Sequence, residues 1–301
     1  MRNWLYKVDT RVSPYLYISP FFILFAVFGL FPLAYTAYVS MFDWSLLRDD
    51  HTYIGFGNYR ELFADPYFWN ALGNTISILV LSTVPQLIIA LVLAHLINRP
   101  LRGQTAWRLG MLLPNVTSVV AVAVIFSQLF GRDFGLINAM LESLHLGRIN
   151  WQAGTASSHI AISAMIIWQW SGYNALIFLA AMQVIPKDLY EAAELDGAGR
   201  FRQFVSVTLP LLRPTLMFTS ILAVIGGIQL FTEPLLLNAG SGGFMGGSQR
   251  QSQTLMMYMV EVGFNRFEFG YAAAVSWLVF LMILVVALVN IWLVRRIGTA
   301  D

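Results

Sequence analysis

Two polar clusters interrupt otherwise apolar stretches of this chain, and their residue types suit recognition of a polyhydroxylated solute. The first is Trp168-Gln169-Trp170-Ser171-Gly172-Tyr173-Asn174. On a helix, Trp170, Tyr173, Asn174 and Ile177 fall on one face through i, i+3, i+4, i+7 spacing. Indole and phenol rings offer flat apolar surfaces with a polar handle. Such faces can pack on the C–H surfaces of a sugar while amides meet its hydroxyls. The second cluster, Gly226, Gln229 and Glu233, shares one face of a later predicted helix by the same spacing. Polar groups inside apolar spans face the bundle interior or a water-filled path. Two readings therefore stand: these residues line a path for solute, or they join helices as hydrogen-bond glue. Gln86, Asn115 and Gln128 are open to the same two readings.

Other chemistries find no constellation. The chain has no cysteine, so disulfides, thiolate metal sites and cysteine nucleophiles are excluded. His51, His95, His145 and His159 lie far apart along the chain, with neither metal-ligand spacing nor a nucleophile–base pairing. The stretch Ser241-Gly242-Gly243-Phe244-Met245-Gly246-Gly247-Ser248 is rich in glycine. A phosphate-cradling loop would need Gly-Lys-Ser/Thr, and the two lysines, Lys7 and Lys187, precede Val8 and Asp188. The stretch reads as a flexible loop. We expect no catalytic residue, no metal ligand and no cofactor held by this chain; if ATP drives it, another subunit binds the nucleotide. A net charge of +2 gives no footprint for nucleic acid.

The elements that must position the two clusters are membrane helices. Of 301 residues, 57% are hydrophobic and only 11% charged, where a soluble domain carries about 25% charged residues. A spanning helix needs roughly 20 mostly apolar residues. Six stretches qualify, at about 15–42, 71–97, 108–131, 157–184, 214–237 and 270–293. The expectation is an all-α, polytopic membrane protein: a single transmembrane domain over 1–301, its core at about 71–293. Pro20, Pro32, Pro85 and Pro114 fall inside these spans, where a bundle can re-satisfy the freed carbonyls. The basic N-terminus leads into an apolar segment too long for a signal peptide and without a small-residue cleavage site, so it is read as an uncleaved first span.

Lysine and arginine set the orientation. With the N-terminus inside, the inner segments hold twelve of them and the outer loops six: Arg48, Arg60, Arg132, Arg148, Arg250 and Arg266. Both termini are then cytoplasmic, and so is the loop at about 185–213 between the fourth and fifth spans. That loop reads Pro186-Lys187-Asp188-Leu189-Tyr190-Glu191-Ala192-Ala193-Glu194-Leu195-Asp196-Gly197-Ala198-Gly199 and runs on to Val207-Thr208-Leu209-Pro210. Asp188 is expected to N-cap a short acidic helix, with Glu191 completing a capping-box-like pair. Gly197 and Gly199 end it, and a second short helical run follows. This suits either a docking element or an ordinary polar connection.

Glu191-Ala192-Ala193, three residues, Gly197, nine residues, then Val207-x-Leu209-Pro210 resembles the EAA-loop signature of ABC importer permeases. That family more often has Ile where this chain has Val207. Gly57-Asn58-Tyr59, Asp65-Pro66-x-Phe68-Trp69-x3-Gly73-Asn74-Thr75, Leu113-Pro114 and Asp196-Gly197-Ala198 resemble its sugar-permease branch, and the subunit similar to the larger maltose permease. The resemblance covers about residues 15–295. It implies that Glu191, Ala192, Ala193, Gly197, Leu209 and Pro210 dock on an ATPase subunit. It also implies sugar contacts at Ile166, Trp170 and Tyr173, then at Leu222, Gly226 and Gln229, with Asn174 and Glu233 beside them.

The implied machine is a heterodimer with a second permease, two ATP-binding subunits that hold ATP and Mg²⁺, and an extracytoplasmic sugar-binding protein, in the bacterial inner membrane. Relative to some members, extra N-terminal spans and a large outer domain are not expected. The competing class is a secondary, ion-coupled transporter. It would call for a second buried acid or base beside Glu233, and for inverted repeats. The particular sugar is not readable from these residues.

Overall fold

A computed structural model describes residues 2–45, 51–99, 102–238 and 242–298. Arg48 and Ser241, used above, lie outside the described residues, as do the side chains of Arg2, Lys7, Arg11, Arg295 and Arg296. The fold is mostly helical and falls into two compact units, Met1–Ala64 with Val262–Leu278, and Asp65–Glu261 with Val279–Asp301.

In the first unit, α1 (Arg2–Phe25) passes through a π-helical turn, Ala26–Leu30, into α2 (Phe31–Val39). The π turn ends two residues before Pro32, whose ring clashes with a regular helix and whose missing N–H breaks its ladder. An antiparallel pair follows, β1 (Phe42–Trp44) on β2 (His51–Tyr53), with Phe42 opposite Tyr53. Then comes α3 (Gly57–Ala64). Asn58 Nδ2 donates to the carbonyls of Ser40 and Phe42 at 2.8 and 2.9 Å, which fixes the turn out of α2.

The second unit is built on two long helices, α4 (Pro66–Ile97) and, further along, α8 (Thr155–Val184). Asp65 caps α4, accepting the Tyr67 N–H at 2.8 Å with Pro66 at the first helical position, where its missing N–H costs nothing. Between the two long helices lie α5 (Gln104–Val116), α6 (Val119–Leu129) and α7 (Leu136–Ser143). Small residues let α4 and α8 approach closely: Ala71, Ala90, Ala94, Ala161 and Ala175 are all fully buried. Gly172 serves α5 and α8 the same way, since a Cβ there would run into the Met111 carbonyl.

After α8 come α9 (Lys187–Leu195), α10 (Arg200–Gln203), a π turn at Phe204–Thr208, α11 (Leu209–Leu211), α12 (Arg213–Ile228) and α13 (Thr232–Leu237). This π turn again ends two residues before a proline, Pro210. The segment leading to α14 (Leu255–Val260) is clasped to the start of α4. Arg250 donates to both carboxylate oxygens of buried Glu261 at 2.6 and 2.7 Å and lies 4.4 Å over the Tyr67 ring. Asn70 and Asn74 each donate to the Arg250 carbonyl at 2.9 Å, and Thr75 Oγ1 accepts the Leu255 N–H at 2.9 Å. The last described element is α15 (Phe269–Gly298).

Among the described residues, four helical segments are long and apolar enough to cross a membrane: Ser13–Val39, Pro66–Ile97, Thr155–Val184 and Phe269–Trp292. The third expected span is not one straight helix, and the fifth is entered through a bend at Leu212, just before its expected start. Gln104–Val116 meets Val119–Leu129 at 89°, and Arg200–Leu211 meets Arg213–Ile228 at 68°. If each bent pair counts once, the number is six. The first bend sits at Thr117 and Ser118, both extended, with ψ of 141° and 127°. Thr117 Oγ1 donates back to the Leu113 carbonyl at 2.7 Å, the competition for backbone groups by which Ser and Thr leave helices.

The predicted 214–237 helix is also cut, at Gln229–Phe231. Pro234 explains it: in a continuous helix its ring would clash with the Leu230 carbonyl. That carbonyl instead accepts the Thr254 hydroxyl at 2.6 Å.

Candidate functional site

Within the second unit α4, α8 and α12, with the α12–α13 break, enclose a cavity of about 430 Å³. The α8 wall is Ile166, Trp170, Tyr173 and Asn174, and the α12 wall includes Leu222, Gly226 and Gln229. Glu233, in the first turn of α13, closes one end. All eight residues predicted for a pathway thus surround one space. The Trp170 and Tyr173 rings meet edge to face, centroids 6.0 Å apart and planes at 86°. Each is 39% exposed, so both keep free ring surface for a ligand, whereas Asn174 at 7% and Ile166 at 8% offer only edges. Such a mix of apolar walls with a few converging polar groups is the usual build of a small-molecule site.

One sequence expectation needs correction. Gly226, Gln229 and Glu233 do not share a helical face, because the helix stops at Ile228 and restarts at Thr232. Gln229 is the residue that ends α12, and Phe231 is turned out of helical conformation, with φ −138°. The three reach the same cavity through the break, not through periodicity. Pro234 was the signal for it in the sequence.

The α4 wall, Ser82, Thr83 and Gln86, was missed apart from Gln86. Ser82 and Gln86 are four residues apart on an apolar helix, a polar stripe that could have marked it. Thr219 and Thr232 also line the cavity, whereas Asn115, Gln128 and Ile177 do not.

The second predicted site is a compact turn. Asp196 and Gly197 end α9 in a Schellman motif: Ala198 N–H donates to the Ala193 carbonyl and Gly197 N–H to that of Glu194, each at 2.9 Å. Gly197 has φ +79°, the left-handed region this motif requires. The start differs from expectation. Asp188 does not cap α9; Pro186, extended at ψ 137°, takes that position and Asp188 lies in the first turn. Ile185 is held extended because it precedes a proline, so the helix cannot begin until Lys187. There Asp188 still faces the positive end of the helix dipole.

Tyr190 Oη and Thr208 Oγ1 bond at 2.9 Å, and Gln203 Nε2 donates to the Ala198 carbonyl at 3.0 Å, tying α9 to α10 and the π turn. Glu191, Ala192 and Gly197 are exposed, while Ala193, Leu209 and Pro210 are half-buried. Leu195 is 90% and Phe201 81% exposed, so the turn presents unpartnered apolar side chains.

This architecture, a broken-helix bundle around a polar cavity with a short helix turned out between two spans, is that of an ABC transporter permease. Residues 2–299 match the family described as binding-protein-dependent transport system inner membrane component, and the chain belongs to that family. It is 33% identical to a lactose transport system permease of Rhizobium radiobacter over 95% of both chains. It is also 33% identical to a sulfoquinovosyl glycerol transport system permease of Agrobacterium fabrum, over 97% of this chain and 93% of that one. An arabinooligosaccharides transport system permease of Halalkalibacterium halodurans is 32% identical, over 97% and 90%. Among solved structures, a bacterial alginate ABC transporter bound to its alginate-loaded periplasmic protein contains a similar chain. That chain superposes with TM-score 0.82 at 24% identity, covering 97% of this chain and 98% of its own.

Proposed function

We propose that this chain is a translocation subunit of a bacterial ABC importer for a sugar or oligosaccharide. The observation that carries the reading is the cavity, where two partly exposed aromatic rings and the amides of Gln229 and Asn174 converge, in a chain similar over nearly its whole length to saccharide permeases. Among the described residues six spans are read, the fifth beginning with α12 after the turn, with both termini in the cytoplasm and the chain in the inner membrane. The turn from Glu191 through Gly197 to Pro210 then faces the cytoplasm and docks on an ATPase subunit. Exposed Leu195 and Phe201 give that contact its apolar component.

A second permease completes the path, two ATPase subunits hold ATP and Mg²⁺, and an extracytoplasmic protein delivers the saccharide. This chain contributes no nucleotide chemistry, because it offers no lysine-bearing phosphate loop.

Purification in mild detergent tests the assembly: an ATPase subunit should travel with the chain, and its hydrolysis should rise with loaded binding protein. A chain that purifies alone and accumulates solute on an ion gradient would restore the secondary-transporter reading. The absence of cysteine makes orientation testable with single cysteines and an impermeant thiol reagent on intact cells. Positions near Tyr59, Gly147 and Gly247 should label; Gln104 and Ala198 should not. Labelling at Ala198 would overturn the orientation and the docking role with it.

A further inference from the structure

Among the described residues the cavity is lined by one carboxyl side chain, Glu233, and by no Lys, Arg or His. The carboxylate is there because Pro234 breaks the helix and restarts it at Thr232, which puts Glu233 in the first turn of α13 at the cavity's edge. The other lining groups are apolar, hydroxyl or amide, and none neutralises an anion. We infer that Glu233 makes this cavity a charge filter, admitting uncharged and amine-bearing saccharides and rejecting anionic ones such as uronates and sugar phosphates.

The inference rests on the saccharide-permease reading and adds the substrate class. The physics is like-charge repulsion in a confined space, where few waters screen it and the described residues of this chain supply no cation to the wall. An amine-bearing sugar finds the opposite: a charge-assisted partner in place of a penalty. The alginate importer, which shares this architecture, handles an acidic polysaccharide, so the fold alone does not set the charge of the saccharide carried. The lining residues must.

The experiment uses the assembled importer in nanodiscs, without binding protein, so that selection upstream does not enter. A single cysteine at Ala223, on the cavity wall, is challenged with a small thiol reagent. Protection is titrated with a matched trio: a neutral disaccharide, its uronate-terminated analogue and its amino-terminated analogue.

In the otherwise unmodified chain, half-protection should need about tenfold more uronate than neutral sugar, or higher still, as expected for like charges brought together at a binding site. The amino sugar should protect at least as well as the neutral one. In Glu233→Gln the uronate-to-neutral ratio should fall below about threefold. Should that variant fail to assemble, Leu222→Lys places a cation across the same cavity and should collapse the ratio with Glu233 intact. Equal protection by uronate and neutral sugar in the parent, or a ratio unmoved by either variant, overturns the filter and leaves the permease reading standing. Protection by none of the three overturns both.

Discussion

The docking turn and the cavity belong to the same unit of the chain, yet they are built in opposite ways. The turn is local. Its hydrogen bonds run between residues no more than 18 apart, as from Tyr190 to Thr208, and its shape follows from Pro186 at one end and Gly197 at the other. The cavity is assembled from α4, α8, α12 and the start of α13, whose lining residues run from Ser82 to Glu233. A local motif tolerates change outside a few backbone-critical positions. An assembled cavity depends on every helix contact that holds its walls apart, including contacts that never touch the ligand.

The sharpest way to break that contrast is to disturb the cavity from behind. Gly172→Ala would drive a methyl group into the Met111 carbonyl, and backbone cannot move aside as a side chain can. The cost should lie at or above the upper end of the roughly 1–3 kcal/mol typical of overpacking. Assembly yield and melting temperature should fall, and uptake with them. A complex of normal stability would show that α5 shifts freely and that the walls are less coupled than described.

The docking turn should respond differently. In Gly197→Leu the added Cβ meets no neighbour within 4 Å, so the penalty at that atom is the left-handed backbone, about 1–2 kcal/mol. Insertion should be unaffected, while transport and co-purification of the ATPase drop; Glu191→Lys, which reverses a charge on the exposed face of α9, should do the same. Normal transport and normal co-purification in both variants would remove the turn from docking.

Smaller still are the changes inside the cavity. Trp170→Ala removes one aromatic platform and Gln229→Ala one amide, each worth on the order of 1 kcal/mol. That is a several-fold loss in a binding step, with assembly, binding-protein affinity and basal ATP hydrolysis near normal. Helix glue predicts the opposite ordering, with melting temperature falling alongside uptake. Measuring both on one preparation separates the two.

At the bottom of the scale is the surface pair of Glu142 and Arg148, in the segment after α6. The Arg148 hydrogen bond holds the Glu142 carboxyl below its ordinary range, and both side chains are about half exposed. A carboxylate lowered on folding adds stability above its unfolded pKa and loses it as pH falls through the folded one. Any gain from this pair should therefore vanish on acidification below the normal glutamate range, and moderate salt should erase it too. Glu142→Gln should leave uptake unchanged at neutral pH and the melting temperature within error. A clear loss at pH 7 would mean that the loop contributes to the walls after all.

Much of this protein was legible in its residues. Composition and the lengths of the apolar runs gave a bundle of membrane helices, because a bilayer sets a length that sequence can meet or miss. The docking turn was readable because its causes are local: a proline that forbids helix before Lys187 and a glycine at a left-handed position. Even there the capping position is not Asp188's, since a proline with an extended backbone can itself fill it. The aromatic face of α8 was readable because helical periodicity puts Trp170, Tyr173 and Asn174 together wherever the helix packs.

What only the tertiary structure decided was which faces meet. The expected third span bends by 89°, and the expected fifth stops at Ile228 and restarts at Thr232. The Thr117 hydroxyl bonds back to the Leu113 carbonyl where the first of these helices stops, and Pro234 expels the Leu230 carbonyl toward Thr254. The sequence placed Gln229 and Glu233 together by helical spacing. The fold brings them together by breaking that helix, and it alone sets Ser82, Thr83 and Gln86 of α4 opposite them, because no local interaction couples residues so far apart along the chain.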